Sequence, residues 1–214
     1  MSNNKMIRVL LVDDHTVARN GVRLMLSEAQ DIEVKYEAES AEEAIRLVRE
    51  HEFDVALLDI ALPGKNGLDL LKLLHIEHPK LAVLILSMYS EEVYALRALK
   101  LGAAGYLTKS NPAATMVAAV RKAAAGGKYI SPSLVEKLAD MLGNESRMPH
   151  ETLSDRELEI LKLIAAGESL VKIGLTLHLS PKTITTYRTR ILEKLDLSTN
   201  AELARYARAN GLLM

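Results

Sequence analysis

The sequence predicts an α/β doubly wound domain built on a parallel five-stranded sheet, followed by a smaller all-α domain of four helices. Three observations carry this. Short apolar runs alternate with stretches of helical periodicity through the first half of the chain. The alternation breaks at Gly126-Gly127. From Leu153 onward the spacing is helical, with no strand pattern.

Ile7 to Val12 is wholly apolar, as expected of a strand buried on both faces. Ala18, Val22, Met25, Leu26 and Ala29 follow at helical spacing. Glu33 to Ala38 can form a second strand. Ser40 and Glu43 then make an S-x-x-E capping box that opens a helix through Ala44, Ile45 and Val48. Val55 to Ile60 is the third strand, and Leu68, Leu71 and Leu74 mark the next helix. Leu81 to Leu86 is the fourth strand, with a helix from about Glu91 to Leu101. Gly105 to Leu107 is a brief fifth strand, and Ala113 to Ala125 completes the series. Strand–helix alternation of this kind implies a parallel sheet covered on both faces, and the flavodoxin-like strand order 2-1-3-4-5 suits the length. Residues 6–127 are therefore expected as the first domain, 128–148 as a linker containing Pro132 and Gly143-Asn144, and 149–214 as the second domain.

Composition narrows the functional classes. The 214 residues suffice for two small domains, and 49% of them are apolar, enough for two cores. With no cysteine, disulfides and thiolate metal sites are excluded. Nothing near Met1 reads as a signal peptide, and no run approaches the roughly 18 apolar residues of a membrane helix, so a soluble, cytoplasmic protein without membrane association is expected. The net charge of −1 argues against a grossly basic nucleic-acid binder, yet Ser180 to Lys194 carries Lys182, Arg188, Arg190 and Lys194 against Glu193 alone.

Ligands of doubly wound sheets bind beyond the carboxyl ends of the strands. At that edge the sequence places Asp13 and Asp14 after strand 1, Asp59 near the end of strand 3, Ser87 ending strand 4 and Lys109 after strand 5. A lone aspartate at a strand end is ordinarily a turn or helix cap. Three carboxylates, a hydroxyl and an ammonium on one edge form a site. Clustered carboxylates repel unless a cation joins them, and oxygen ligands favour Mg²⁺, which also binds phosphate oxygens. A carboxylate beside Mg²⁺ can attack a phosphoryl group to give an acyl phosphate, with Lys109 and Ser87 serving the other phosphoryl oxygens.

The motifs Val12-Asp13-Asp14-His15, Leu58-Asp59-Ile60-Ala61-Leu62-Pro63-Gly64…Gly67, Leu86-Ser87 and Gly102-Ala103-Ala104-Gly105-Tyr106-Leu107-Thr108-Lys109 resemble those of a response-regulator receiver domain over about residues 6–127. The resemblance implies that Asp59 accepts a phosphoryl group from a sensor histidine kinase. It also implies that Asp14, Asp59 and the Ala61 carbonyl ligate Mg²⁺ with Asp13 acting through water, and that Ser87 and Tyr106 form a switch pair. Enzymatic activity is expected to be limited to the receiver's own phosphorylation and dephosphorylation. Two departures stand out: Ser110 follows the lysine where proline is frequent, and Ala61 and Tyr89 stand two residues after Asp59 and Ser87. Ala61 has no group to orient a hydrolytic water, so a long-lived phosphoryl-aspartate is expected.

In the second half, Ser154-Asp155-Arg156-Glu157 is another capping box, opening a helix with Leu158, Leu161, Ile164 and Ala165 on one face and Gly167 at its end. A short helix carries Ile173 and Leu177. Ser180-Pro181 then starts a helix to about Leu195, because Pro at the first helical position loses no hydrogen bond. Ile184, Tyr187, Ile191 and Leu195 occupy its buried face, opposite Lys182, Thr185, Thr186 and Thr189. Two helices with a tight turn between them match a helix-turn-helix. Threonines are short enough to enter a major groove and can bond base edges or phosphates, while Lys182, Arg188 and Arg190 can reach phosphates.

The run Leu153-Ser154-x-Arg156-Glu157 through Leu179-Ser180-Pro181-Lys182-Thr183-Ile184 to Ile191-Leu192-Glu193-Lys194-Leu195 resembles the LuxR-type domain of NarL/FixJ-class two-component regulators, over roughly 149–214. Leu170-Val171-Lys172 replaces a frequent Asn-Lys-Glu and Gly174 a common alanine, which should weaken the second helix slightly. Tyr187 stands where histidine is common, as in a GacA/BvgA-like subtype. The resemblance implies a transcription regulator that binds double-stranded promoter DNA as a homodimer on activation, through a last helix from Asn200 to Asn210 carrying Ala201, Leu203, Ala204 and Ala207. RNA polymerase is a further possible partner. Two alternatives remain open at this point: regulation without phosphate, and a ligand-sensing LuxR-type receptor, which would leave the carboxylate cluster unexplained.

Overall fold

The computed structural model describes residues 6–62, 67–88, 91–136 and 148–213, with only the backbone described at 91–93. Two compact units divide the chain, Met1–Val135 and Glu136–Met214.

In the first unit the strands are β1 (Ile7–Val12), β2 (Ile32–Ala38), β3 (Val55–Leu58), β4 (Ala82–Ser87) and β5 (Gly105–Thr108). They form one sheet in the order β2-β1-β3-β4-β5, parallel at every pairing. The helices are α1 (Thr16–Ser27), α2 (Ala41–Glu50), α3 (Gly67–Glu77), α4 (Glu91–Lys100) and α5 (Ala113–Ala124). The predicted topology is the observed one. Val9, Leu11, Val55, Leu57, Leu84 and Leu86 share one core with Val22 and Leu26 of α1 and Met116, Ala119 and Val120 of α5. The alternate residues Leu10, Val12, Ala56, Leu58 and Ile85 are equally buried, so both sheet faces are covered and the strands read as continuous apolar runs.

This unit extends beyond the expected boundary at residue 127. Tyr129 N–H donates to the Ala104 carbonyl at 2.7 Å and pairs with Gly105 as a parallel bridge, residues 132–136 are helical, and Leu134 is buried. Gly105 is required there, because a Cβ would lie 2.4 Å from the Tyr129 carbonyl oxygen. The expected linker residues Gly143-Asn144 lie outside the described residues.

The second unit opens with a 3-10 turn, Pro149–Thr152, followed by α6 (Asp155–Ala165), α7 (Leu170–Thr176), α8 (Pro181–Leu195) and α9 (Asn200–Ala209). The caps explain these bounds. Ser154 and Thr199 both make complete capping boxes, with Glu157 and Glu202, and Ser169 and Ser180 accept the N–H three residues on. Leu158, Ile160, Leu161, Ile173, Ile184, Ile191, Leu203 and Ala207 build the core. Among the described residues no helix is long and apolar enough to cross a membrane.

The 3-10 turn was not expected from the sequence. It is tied to α9 through Tyr206, whose hydroxyl accepts the His150 N–H at 3.3 Å and lies 3.0 Å from His150 Nδ1.

Candidate functional site

The carboxyl ends of β1 and β3 leave the sheet side by side. Asp59 N–H donates to the Val12 carbonyl at 2.9 Å, and Asp13 N–H to the Ala38 carbonyl at 3.0 Å, so ladder-like bonds carry both residues past the strand ends. Asp13 and Asp59 are buried, at 1% and 3% exposure, and Asp14 is partly exposed. Lys109 reaches them from the end of β5. Its Nζ lies 2.6 Å from Asp13 Oδ2 and 2.5 Å from Asp59 Oδ2. The Lys109 backbone N–H is fixed by the Ser87 carbonyl at 2.9 Å.

Four of the five expected edge residues thus converge through their side chains. Ser87 is fully buried at the end of β4, opposite Thr108 in the β4–β5 register. Tyr106 lies opposite Ile85 and is 1% exposed, so it is an inward-facing residue rather than a surface tyrosine. Ala61 follows Asp59 at the surface, and its N–H donates to Asp59 Oδ1 at 3.2 Å. Pro63, Gly64 and Tyr89 lie outside the described residues.

The electrostatics follow from burial. Desolvation pushes the Asp59 carboxyl above its ordinary value, against the opposing pull of the Lys109 ammonium and the Ala61 N–H. Burial disfavours the Lys109 charge, but its close contacts with the Asp13 and Asp59 carboxylates outweigh that and raise the ammonium's pKa. Asp13 Oδ2 and Asp14 Oδ1 are sealed from solvent without a well-formed hydrogen bond, although Lys109 Nζ stands 2.6 Å from the first and His15 Nδ1 2.8 Å from the second. Both contacts are ion pairs by distance. One ammonium cannot neutralise three carboxylates, and sealed oxygens of this kind are what a divalent cation satisfies. One ligand atom each from Asp13, Asp14, His15 and Asp59 lies within 4.8 Å of all the others, a set that could hold a metal ion.

Two supports were not apparent from sequence. Arg19, on α1 and 6% exposed, donates from Nη1 to the Asp13 carbonyl at 2.6 Å and is itself held by Glu37 and Glu39. Gly67, the first residue of α3, packs on the Asp59–Ile60 backbone so closely that a Cβ would lie 2.2 Å from the Asp59 carbonyl oxygen. Its N–H donates to the Ile60 carbonyl at 3.0 Å.

In the second unit, α8 carries the expected polar face. Lys182, Thr185, Thr186, Thr189 and Arg190 are exposed, while Thr183 and Arg188 are half-buried. Thr185, Thr186 and Thr189 donate their hydroxyl protons one turn back, to the carbonyls of Pro181, Lys182 and Thr185 at 3.0, 3.1 and 3.2 Å. Thr183 Oγ1 pairs with Ser180 Oγ at 2.8 Å, and Arg188 Nε donates to Asn200 Oδ1 at 2.6 Å. Lys194 does not belong to the basic patch in which its sequence position places it. Its Nζ lies 2.6 Å from the buried Glu157 carboxylate. Gly174 has a different part from the one expected, since a Cβ there would stand 2.7 Å from the Leu179 carbonyl oxygen, so the glycine lets the turn between α7 and α8 close. Leu203 and Ala207, expected on a pairing surface of α9, are fully buried within the unit, leaving Ala201 exposed and Ala204 half-exposed.

These arrangements agree with the comparisons to known proteins. Residues 9–121 match the response regulator receiver domain, and residues 151–207 match the luxR family of bacterial regulatory proteins. The chain is 40% identical over 210 residues to the response regulator GacA of Pseudomonas viridiflava, covering 97% of this chain and 98% of that one. It is 34% identical over 209 residues to the response regulator UvrY of Escherichia coli K12, covering 97% and 96%. A structure of the Salmonella typhimurium response regulator RcsB shares the fold, with a TM-score of 0.75 at 23% identity, covering 97% of this chain and 99% of that one. The chain belongs to the two-component response regulators, those in which a receiver domain controlled by phosphorylation is joined to a LuxR-type DNA-binding domain that regulates transcription.

Proposed function

We propose that Asp59 is the phosphoryl acceptor of this regulator and that the exposed face of α8 reads promoter DNA. The observation that carries the first part is the Lys109 ammonium, held within 2.6 Å of both Asp13 and Asp59 beside sealed carboxylate oxygens. A carboxylate oxygen of Asp59 attacks the phosphorus of a phosphohistidine on the partner kinase. The P–N bond breaks, the nitrogen of the leaving imidazole takes up a proton from solvent, and an acyl phosphate remains. Lys109 then leaves the carboxylate and follows the charge onto a phosphoryl oxygen. Asp13, Asp14, Asp59 and the Ala61 carbonyl suit Mg²⁺, with Asp13 acting through water; bound there, the ion neutralises charge on the phosphoryl oxygens. Ala61 provides nothing to orient a hydrolytic water, which favours a slow loss of phosphate.

Ser87 supplies a hydroxyl to the phosphoryl group, and Tyr106, on the neighbouring strand, is the aromatic partner of that switch. Phosphorylation adds about −1.5 to −2 charges and biases the receiver between two states. Activation pairs two copies, and the exposed part of α9 around Ala201 and Ala204 is the surface for that pairing. Lys182, Arg188 and Arg190 contact phosphates, while Thr183, Thr185, Thr186 and Thr189 face bases. RNA polymerase is then a partner at the promoter. The protein acts in the cytoplasm, and its only chemistry is its own phosphorylation and dephosphorylation.

Acetyl phosphate with Mg²⁺ tests the reading directly. The wild type is expected to gain one phosphoryl mass and to dimerise and bind DNA more tightly, and Asp59→Asn to do neither. No mass gain in the wild type overturns the assignment of Asp59. A mass gain with unchanged DNA binding overturns only the coupling.

A further inference from the structure

Lys109 stands in a short connection. Thr108 is the last residue of β5 and Ala113 the first of α5, so residues 109–112 join strand to helix. Ser110 is exposed and, unlike a proline, fixes no dihedral of its own. Pro112, at the N-cap of α5, makes no side-chain capping bond. Asn111 supplies the order instead. Its Oδ1 accepts the Thr108 backbone N–H at 2.7 Å and the Thr108 hydroxyl at 3.1 Å, and its own N–H donates to the Thr108 carbonyl at 3.0 Å. The Thr108 hydroxyl, its proton given to Asn111, accepts that of Ser110 at 2.9 Å. A backbone N–H can only donate, so the Asn111 amide must turn its oxygen to Thr108.

We propose that Asn111 is a positioning residue for phosphoryl transfer: its side-chain oxygen locks the turn that carries Lys109 and so sets where the ammonium meets the phosphoryl oxygens. The proposal rests on the reading of Asp59 as acceptor with Lys109 serving the phosphoryl group. Asn111 meets both the N–H and the carbonyl of Thr108, immediately before Lys109, and the Ser87 carbonyl accepts the Lys109 N–H at 2.9 Å. Just beyond Asn111, α5 is anchored in the sheet core by Met116, Ala119 and Val120. The base of Lys109 is thereby tied to β4 on one side and to a buried helix on the other. A lysine stem is flexible, so its Cα must be held for Nζ to rest 2.6 Å from Asp13 and 2.5 Å from Asp59. Without the Asn111 oxygen, Thr108 loses the acceptor for its N–H and the turn is free to carry the ammonium away.

The test follows phosphorylation of the full chain by acetyl phosphate with Mg²⁺, and Mg²⁺ affinity by calorimetry. The variants are Asn111→Ala, Asn111→Asp, Lys109→Ala and the double variant Lys109→Ala/Asn111→Ala. Asn111→Ala is expected to slow phosphorylation about tenfold, since misplacing a reacting group by about 1 Å is enough for that. Its Mg²⁺ affinity is expected not to fall, because an ammonium displaced from Asp59 repels the ion less. Asn111→Asp keeps an acceptor oxygen in place and is expected to recover most of the rate. The double variant is expected to be no slower than Lys109→Ala, because Asn111 acts through the lysine. Four results overturn the role of Asn111 while leaving Asp59 as acceptor: a normal rate in Asn111→Ala, a parallel loss of its Mg²⁺ affinity, an aspartate variant as slow as the alanine one, or further slowing in the double variant. A wild type that gains no phosphoryl group, or a Lys109→Ala variant that gains it at the wild-type rate, refutes the underlying reading and the positioning role with it.

Discussion

The Arg19 guanidinium donates to the main-chain carbonyl of Asp13 at 2.6 Å from a buried position on α1. The same group is held by Glu37 and Glu39, at the end of β2 and just beyond it. A buried cation thus spans from β2 to the turn that presents Asp13 and Asp14. Replacing Arg19 with methionine leaves the Asp13 carbonyl without this donor and frees two carboxylates near a pocket that already holds three. We expect a loss of about 2 kcal/mol in stability and weaker divalent-cation binding, measured by thermal unfolding and calorimetry. Lysine is expected to recover part of the stability through its charge, but not the cation affinity, since it lacks the fork that serves several acceptors at once. Unchanged Mg²⁺ affinity in Arg19→Met would show that the turn holds itself.

Gly67 is limited by space. A Cβ there meets the Asp59 carbonyl oxygen at 2.2 Å and Ile60 Cα at 2.7 Å, both backbone atoms with no side chain to swing aside. Gly67→Ala must therefore push α3 away from the loop that carries Asp59. The expected cost is about 1–3 kcal/mol, together with a marked fall in the rate of phosphorylation by acetyl phosphate. A variant with normal rate and melting temperature would show that the helix start absorbs the extra methyl without disturbing Asp59.

Glu157 gives the DNA-binding unit a pH dependence. Burial raises its pKa, but Lys194 and the Ser154 N–H and hydroxyl outweigh that and hold the carboxyl below its ordinary value. A depressed carboxylate contributes stability that is present above its unfolded pKa and lost as pH falls through the folded one. Unfolding of this unit should accordingly become easier below about pH 4.5, and Glu157→Gln should flatten that dependence. At neutral pH the substitution is expected to cost about 1–2 kcal/mol, since it weakens two charge-assisted bonds to a buried group. Denaturant titrations of both proteins at pH 4 and pH 7 measure the difference; identical slopes would exclude Glu157 as the source.

Local rules made most of the fold legible. Apolar runs such as Ile7 to Val12 announce strands covered on both faces, and Ser154 with Glu157 announces a helix start; neither needs knowledge of distant residues. The pocket was legible for a related reason. In a parallel sheet every strand delivers its next residue to the same edge, so Asp13, Asp59 and Lys109 could be brought together by counting strands. Contacts chosen by packing were not legible. Arg19 reads as one more polar residue on an amphipathic helix until β2 puts Glu37 and Glu39 beside it. Lys194 reads as part of a basic stripe until α6 supplies Glu157. Leu203 and Ala207 suit a dimer seam as well as a core, and only the packing of α9 decides for the core. Tyr129 had no periodic signal to attach it to Gly105, which is why the first unit runs past its expected end.

The threonines of α8 set a polarity for recognition. With each hydroxyl proton committed to a carbonyl one turn back, Thr185, Thr186 and Thr189 offer outward lone pairs and methyl groups only. Phosphate oxygens are acceptors and gain nothing from such a surface. Amino groups of adenine and cytosine in the major groove are donors and do, and thymine methyls suit the threonine methyls. Sequence choice and electrostatic grip should then reside in separate residues of one helix. Thr186→Val is expected to change which operators are preferred while leaving the salt dependence of binding as it was. Arg190→Ala is expected to lower the salt slope by about one across all sequences alike. Such a division would let a promoter preference be altered without altering how firmly the protein holds DNA in general.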